Sequence, residues 1–187
     1  MDAQHRYSIA STTNVNGPMG HLIKAVELSQ FAHSYIVLAD RICEAAPGGV
    51  RFRALEEWTG AGKTVYSSAT VDLTTTQQDA LELWCEAQIG KRYDYFGDFI
   101  VGLDALWLRS AKRHDEEFRA VETWLDKDDR WFCSAMADAG MSAAGVKLFD
   151  DGRPFHAVSP ANLAARLIDL GNVPEIAGVP QNVTLRA

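Results

Sequence analysis

Between His33 and Leu55 the chain carries three short stretches suited to extended backbone: HSYIVLAD, then RICEA, then GGVRFRAL. They are separated by a turn-like Asp40 and by Pro47-Gly48-Gly49. The β-branched and aromatic content of these stretches, with turn residues between them, predicts a strand, a tight turn, a second strand and a third. Residues 64–74 (TVYSSATVDLT) can form another strand. Behind a threonine-rich cap region, residues 76–89 place Leu81, Trp84, Cys85 and Gln88 at helical spacing, which predicts a helix stopped by Gly90. An antiparallel sheet with helices packed against it, an α+β architecture, is the expected fold class.

The rest of the chain reads as follows. Residues 1–19 are polar, with an Asn-Gly-Pro punctuation, and are expected to be an arm or irregular lead-in. Residues 20–30 predict a short amphipathic helix through Leu22, Ile23 and Val26. Residues 93–129 combine aromatics with a charged run whose opposite charges fall three or four apart, so exposed helix is expected there. From Trp131 the segment WFCSAMADAGM predicts a small-residue helix with Gly140 as its stop. SPANLAARLIDL predicts a Pro-initiated helix, followed by an extended tail over 171–187. One domain over 20–170 is therefore expected between the arm and the tail.

Composition narrows the function classes. The chain has 187 residues, 47% of them hydrophobic, enough for one sizeable core without disulfides or metal. A formal net charge of -7 argues against nucleic acid or an anionic membrane as the main partner. The three cysteines, Cys43, Cys85 and Cys133, form no CxxC, so unbridged thiols are expected rather than a disulfide framework or zinc site. No HxxxH pattern supports a metal, and no cofactor is expected. GAGKT at 60–64 lacks the first glycine of a phosphate-binding loop, since Glu57 stands there, and strand rather than helix follows it. No signal segment and no apolar run of about 18 residues is evident. Synthesis in the cytoplasm without a signal peptide is the expectation.

Cys133 is the candidate nucleophile. A thiol attacks as thiolate, and a helix start favours that form through its unpaired amides and dipole. Small residues at Ser134, Ala135, Ala137 and Ala139 would let this helix pack closely on a sheet. The alternative is a small buried hydrophobe, the role expected of Cys85 and Cys43. A thiol hydrolase also needs an imidazole and a polar group that orients it. His33, at the start of an apolar strand, is the candidate. If the turn has Ala39 and Asp40 at its centre, Leu38 faces Arg41, Tyr35 faces Glu44, and Glu44 shares the His33 face one diagonal step away. A three-residue turn would send Glu44 to the other face. His5, His21, His114 and His156 are expected to be surface or structural residues.

These fragments together resemble the NlpC/P60 superfamily of papain-like cysteine hydrolases, in its circularly permuted YiiX/YaeF-like branch, where the order is His, acid, Cys. HLIKAVELSQFAHSYIVL resembles the helix and histidine strand, and ICEAAPGGVRFRAL the acidic strand with its glycine turn. IGKRYDY is similar to the Gly-x-x-Tyr-Asp segment, WFCSAMADAGM to the Phe-Cys-Ser nucleophile helix, and VSPANL to the Ser/Thr-Pro-x-x-Leu ending. The resemblance implies a permuted papain-like fold with Cys133 as nucleophile, His33 as general base and acid, and Glu44 orienting the histidine. It also implies Tyr93 near the nucleophile as an oxyanion donor, with Asp94 in a structural hydrogen bond. The sequence departs from the family in the long charged insert over 98–130 and at Ala135 and Met136. The implied activity is a cysteine peptidase or amidase acting on cell-wall (peptidoglycan) peptides, with an acyl-lipid hydrolase or acyltransferase as the alternative. No wall-binding repeat is present, so targeting is expected from a larger assembly such as a phage tail, with a virion-associated location. A non-catalytic assembly component of the same fold is the third expectation.

Overall fold

A computed structural model of the chain describes residues 7–12, 21, 25, 31–60, 65–95, 97, 129–169 and 184–186. Its centre is a six-stranded sheet. The strands in chain order are β1 (Tyr7–Thr12), β2 (His33–Leu38), β3 (Arg41–Ala46), β4 (Gly49–Ala54), β5 (Val65–Asp72) and, at the far end of the chain, Thr184–Arg186. Across the sheet the order is β4, β3, β2, β1, β5 and then Thr184–Arg186. All neighbours are antiparallel except the last, which runs parallel to β5. A separate parallel pair joins β6 (Arg92–Tyr93) to β7 (Arg130–Trp131), so the last strand of the large sheet is β8. The helices are α1 (Leu55–Gly60), α2 (Thr75–Gln88), α3 (Cys133–Ala143) and α4 (Pro160–Asp169).

Local chemistry sets the boundaries. β2 and β3 are joined by the two-residue turn, with Leu38 opposite Arg41, and Ala39 takes a φ of 42° there. The β3–β4 connection passes through Gly48 and Gly49, at φ of 103° and 110°. A β-carbon on Gly49 would also lie 2.6 Å from the Lys91 carbonyl oxygen, so only glycine fits. Thr74 caps α2 in a reciprocal capping box with Gln77.

Two expectations are corrected. Residues 7–12, read as part of an irregular arm, form β1 between β2 and β5. A strand paired on both edges draws its stability from partners remote in sequence, and so shows little local signal. Gly140 does not stop its helix. α3 continues to Ala143, with Gly145 beyond it at a φ of 79°. A β-carbon at Gly140 would collide with the end of Ile36 and press on the Trp84 ring, so the glycine serves close packing of α3 on β2. The helix expected over 20–30 lies outside the described residues except for His21 and Ala25, which are helical. The charged insert also lies outside them except for Asp129 and Arg130.

Helices α2, α3 and α4 collect on one face of the sheet. Ile36, Leu38, Cys43, Ala45 and Val50 point into a core completed by Leu81 and Cys85 of α2, Met136 and Met141 of α3, and Leu163 and Leu167 of α4. Tyr35, Val37 and Ile42 form a second cluster with Leu55. The alternation of side chains along β2 and β3 assigns them to the opposite face. Among the described residues, no helix is long and apolar enough to cross a membrane.

Candidate active site

The two-residue turn settles where Glu44 points. With Leu38 opposite Arg41 and Ile36 opposite Cys43, Glu44 falls on the same face as Tyr35 and His33. The structure joins the pair directly: His33 Nε2 lies 2.9 Å from Glu44 Oε2. Both are buried, Glu44 at 0% exposure and His33 at 7%. The Tyr35 ring sits beside the imidazole, 6.0 Å between centroids.

A buried carboxylate needs compensation, and two arginines on β4 supply it. Arg51 is the register partner of Glu44, and Arg53 follows on the same face. Arg51 Nε donates to Glu44 Oε1 at 3.1 Å, its Nη2 lies 3.0 Å from the same oxygen, and Arg53 Nη1 donates to it at 3.4 Å. Burial alone pushes the Glu44 carboxyl up. The hydrogen bond and charge of His33, with the Arg51 guanidinium, more than offset burial and hold it at about 2, below its ordinary 4.5. Glu44 is therefore an anion throughout the range in which an imidazole exchanges protons.

Cys133 is the first residue of α3. Phe132 occupies the N-cap position in extended conformation, and its side chain cannot cap the helix. The Ser134 hydroxyl donates to the Val158 carbonyl at 2.6 Å and ties the helix start to the segment before α4. Cys133 is buried at 0% exposure, and none of the three cysteines is in a disulfide. Cys43 and Cys85 sit together in the core, where the neighbouring Cys43 thiol and then burial push the Cys85 thiol well above its ordinary range.

Tyr93 and Cys133 are linked through the small sheet. Tyr93 pairs with Trp131, and the Asp94 amide donates to the Trp131 carbonyl at 2.9 Å. Tyr93 is buried, with its ring edge-on to Tyr95 at 4.9 Å. Asp94 is structural: its carboxylate accepts from the Gly97 amide at 2.9 Å. The Val50 amide bonds the Lys91 carbonyl, and the Gly90 amide bonds Val50 in return. These bonds hold the small sheet at the start of β4, beside the end of β3 and the start of β2. Cys133 is thus brought to the end of the sheet where His33 begins its strand. α3 covers the face of Ile36 and the His33–Glu44 pair occupies the other, so a thiol–imidazole contact would be made around that end.

Two features add to the expectations from sequence. Arg51 and Arg53 were not assigned to Glu44, although their alternation behind the glycine turn is visible in VRFRAL. His156, expected to be surface or structural, is half-buried and stacks on Trp131 at 5.3 Å, tilted against Phe132 at 6.0 Å. Its ring thus packs against the two residues that precede Cys133. Among the described residues, no group of three His, Cys, Asp or Glu side chains is arranged to hold a metal ion. No protein-family model matches the sequence, and no curated protein matches it.

Proposed function

We propose that this chain is a cysteine hydrolase of the permuted papain-like, NlpC/P60 type, with Cys133 as nucleophile, His33 as base and acid, and Glu44 as the orienting anion. The single observation that carries the reading is the buried His33–Glu44 hydrogen bond of 2.9 Å. A carboxylate on Nε2 fixes the ring and turns Nδ1 into the nitrogen that exchanges a proton with a thiol. In the reaction, Nδ1 takes the proton from Cys133 Sγ as sulfur bonds to the carbonyl carbon of an amide. The tetrahedral oxyanion is met by the Cys133 backbone amide and the Tyr93 hydroxyl. The C–N bond breaks, the imidazolium returns its proton to the leaving amine, and a thioester remains. Water, deprotonated by His33, attacks the thioester and releases the acid and the thiol.

Cell-wall peptides are the proposed substrate, presented through a larger assembly such as a phage tail, with acyl lipids next. Incubation with purified peptidoglycan and with a phospholipid panel, read by mass spectrometry, separates the two. Release of soluble peptides that disappears with Cys133→Ala is the expected result. Fatty-acid release would move the assignment to lipids, and products undiminished by Cys133→Ala would remove Cys133 from the chemistry. The complete burial of Cys133 favours one second reading, a non-catalytic assembly component that keeps the fold. A substrate carbonyl reaches a buried sulfur only if the surrounding chain opens.

A further inference from the structure

We propose that Arg51 is a positioning residue of this site: anchored to the β3–β4 turn, its guanidinium fixes the Glu44 carboxylate in the orientation that presents Oε2 to His33. This rests on the reading of His33 and Glu44 as catalytic partners. The geometry divides the carboxylate between two tasks. Oε2 faces His33 Nε2 at 2.9 Å, while Oε1 takes both Nε and Nη2 of Arg51, at 3.1 and 3.0 Å. Arg51 is itself held, because its Nη1 donates to the Pro47 carbonyl at 3.1 Å. That carbonyl belongs to the turn joining β3 to β4, so guanidinium and carboxylate are mounted on one hairpin in direct register. Arg53 cannot do the same work. It reaches Oε1 once, at 3.4 Å, and its other nitrogen lies 3.9 Å from the exposed Glu57.

The charge count gives the arrangement a measurable signature. The described groups facing Glu44 are His33 from β2 and Arg51 and Arg53 from β4. Removing the Arg51 charge leaves burial, which favours the neutral acid, opposed by fewer cations. Glu44 should then take up a proton at higher pH, and any thiol chemistry that depends on its anion should fail earlier on the acid side. A merely structural arginine would alter stability without moving that limb.

The test uses the full chain as wild type, Arg51→Gln and Arg51→Lys. The Glu44 carboxyl is titrated by carbon-13 NMR, and Cys133 alkylation by iodoacetamide is followed across the same pH range. Arg51→Gln should raise the Glu44 midpoint by about one pH unit and slow Cys133 alkylation on the acid limb about tenfold. Arg51→Lys, which keeps the charge and loses the fork, should recover part of both shifts. A Glu44 midpoint unmoved in folded Arg51→Gln overturns the proposal. A midpoint that moves while Cys133 stays inert in every variant supports the hold of Arg51 on Glu44 and overturns the thiol-hydrolase reading instead.

Discussion

Glu44 and Asp138 are both buried carboxyls, but only Glu44 has partners that outweigh burial, so the two are shifted in opposite directions. Glu44 is held at about 2, so its contribution to stability is complete above its ordinary 4.5 and is lost as pH falls from there toward 2. The shift corresponds to about 3 kcal/mol, and Glu44→Gln should lose roughly that much at neutral pH, measured by urea denaturation, with the acid limb of stability flattened. Asp138, on α3, is raised to about 6 by burial, with Arg153 pulling down and Asp151 pushing up. The folded state prefers it protonated, so it costs stability as pH rises from 3.8 through 6. Asp138→Asn should therefore raise stability at pH 7 by about 1–3 kcal/mol and change it little below pH 4. At this scale His33 and Glu44 were legible as candidates because strand alternation is local, whereas the turn length that puts them on one face was open in the sequence and is fixed by the β2–β3 register. The compensation was not legible. Which cation reaches a buried carboxylate depends on the β3–β4 register, and Gly48 and Gly49 set that register through backbone angles rather than side-chain pattern.

Where helix meets strand, α3 packs on β2 at a glycine. In an ordinary exposed helix interior, Gly→Ala gains up to about 1 kcal/mol. Here the new methyl would meet Ile36 and Trp84. Gly140→Ala should instead destabilise by about 1–3 kcal/mol in thermal or urea unfolding, and a rise in stability would contradict the close packing. The capping box of α2 makes a conventional case: Thr74→Ala should cost about 1 kcal/mol through the lost bond to the Gln77 amide. α2 was legible because its cap, periodicity and glycine stop are all local. β1 was hidden, and Gly140 was misread, for one shared reason. A strand paired on both sides and a glycine chosen for contact are defined by partners distant in sequence.

Taken whole, the molecule sets α2, α3 and α4 against one face of the sheet and the His33–Glu44 pair on the other, and the nucleophile candidate enters at the sheet end common to both. The small β6–β7 sheet makes that arrangement, because it couples the start of β4 to the residues just before Cys133. The opposed titrations of Glu44 and Asp138 also combine. Glu44 reaches its full effect by 4.5, and the cost of Asp138 begins to grow above 3.8, so together they should put a stability maximum between 3.8 and 4.5, with stability falling from there to about 6. The α+β class and the order of candidate residues could be read from the chain. The burial of Cys133 could not, since it depends on what packs over a helix start. The most direct test of the thiol–imidazole site is site-resolved iodoacetamide labelling at pH 7 of wild type and His33→Ala. The expected result is Cys133 reacting at least about tenfold faster than Cys43 and Cys85, with the excess lost in His33→Ala. Three thiols reacting equally slowly, or a Cys133 rate indifferent to His33, would contradict it.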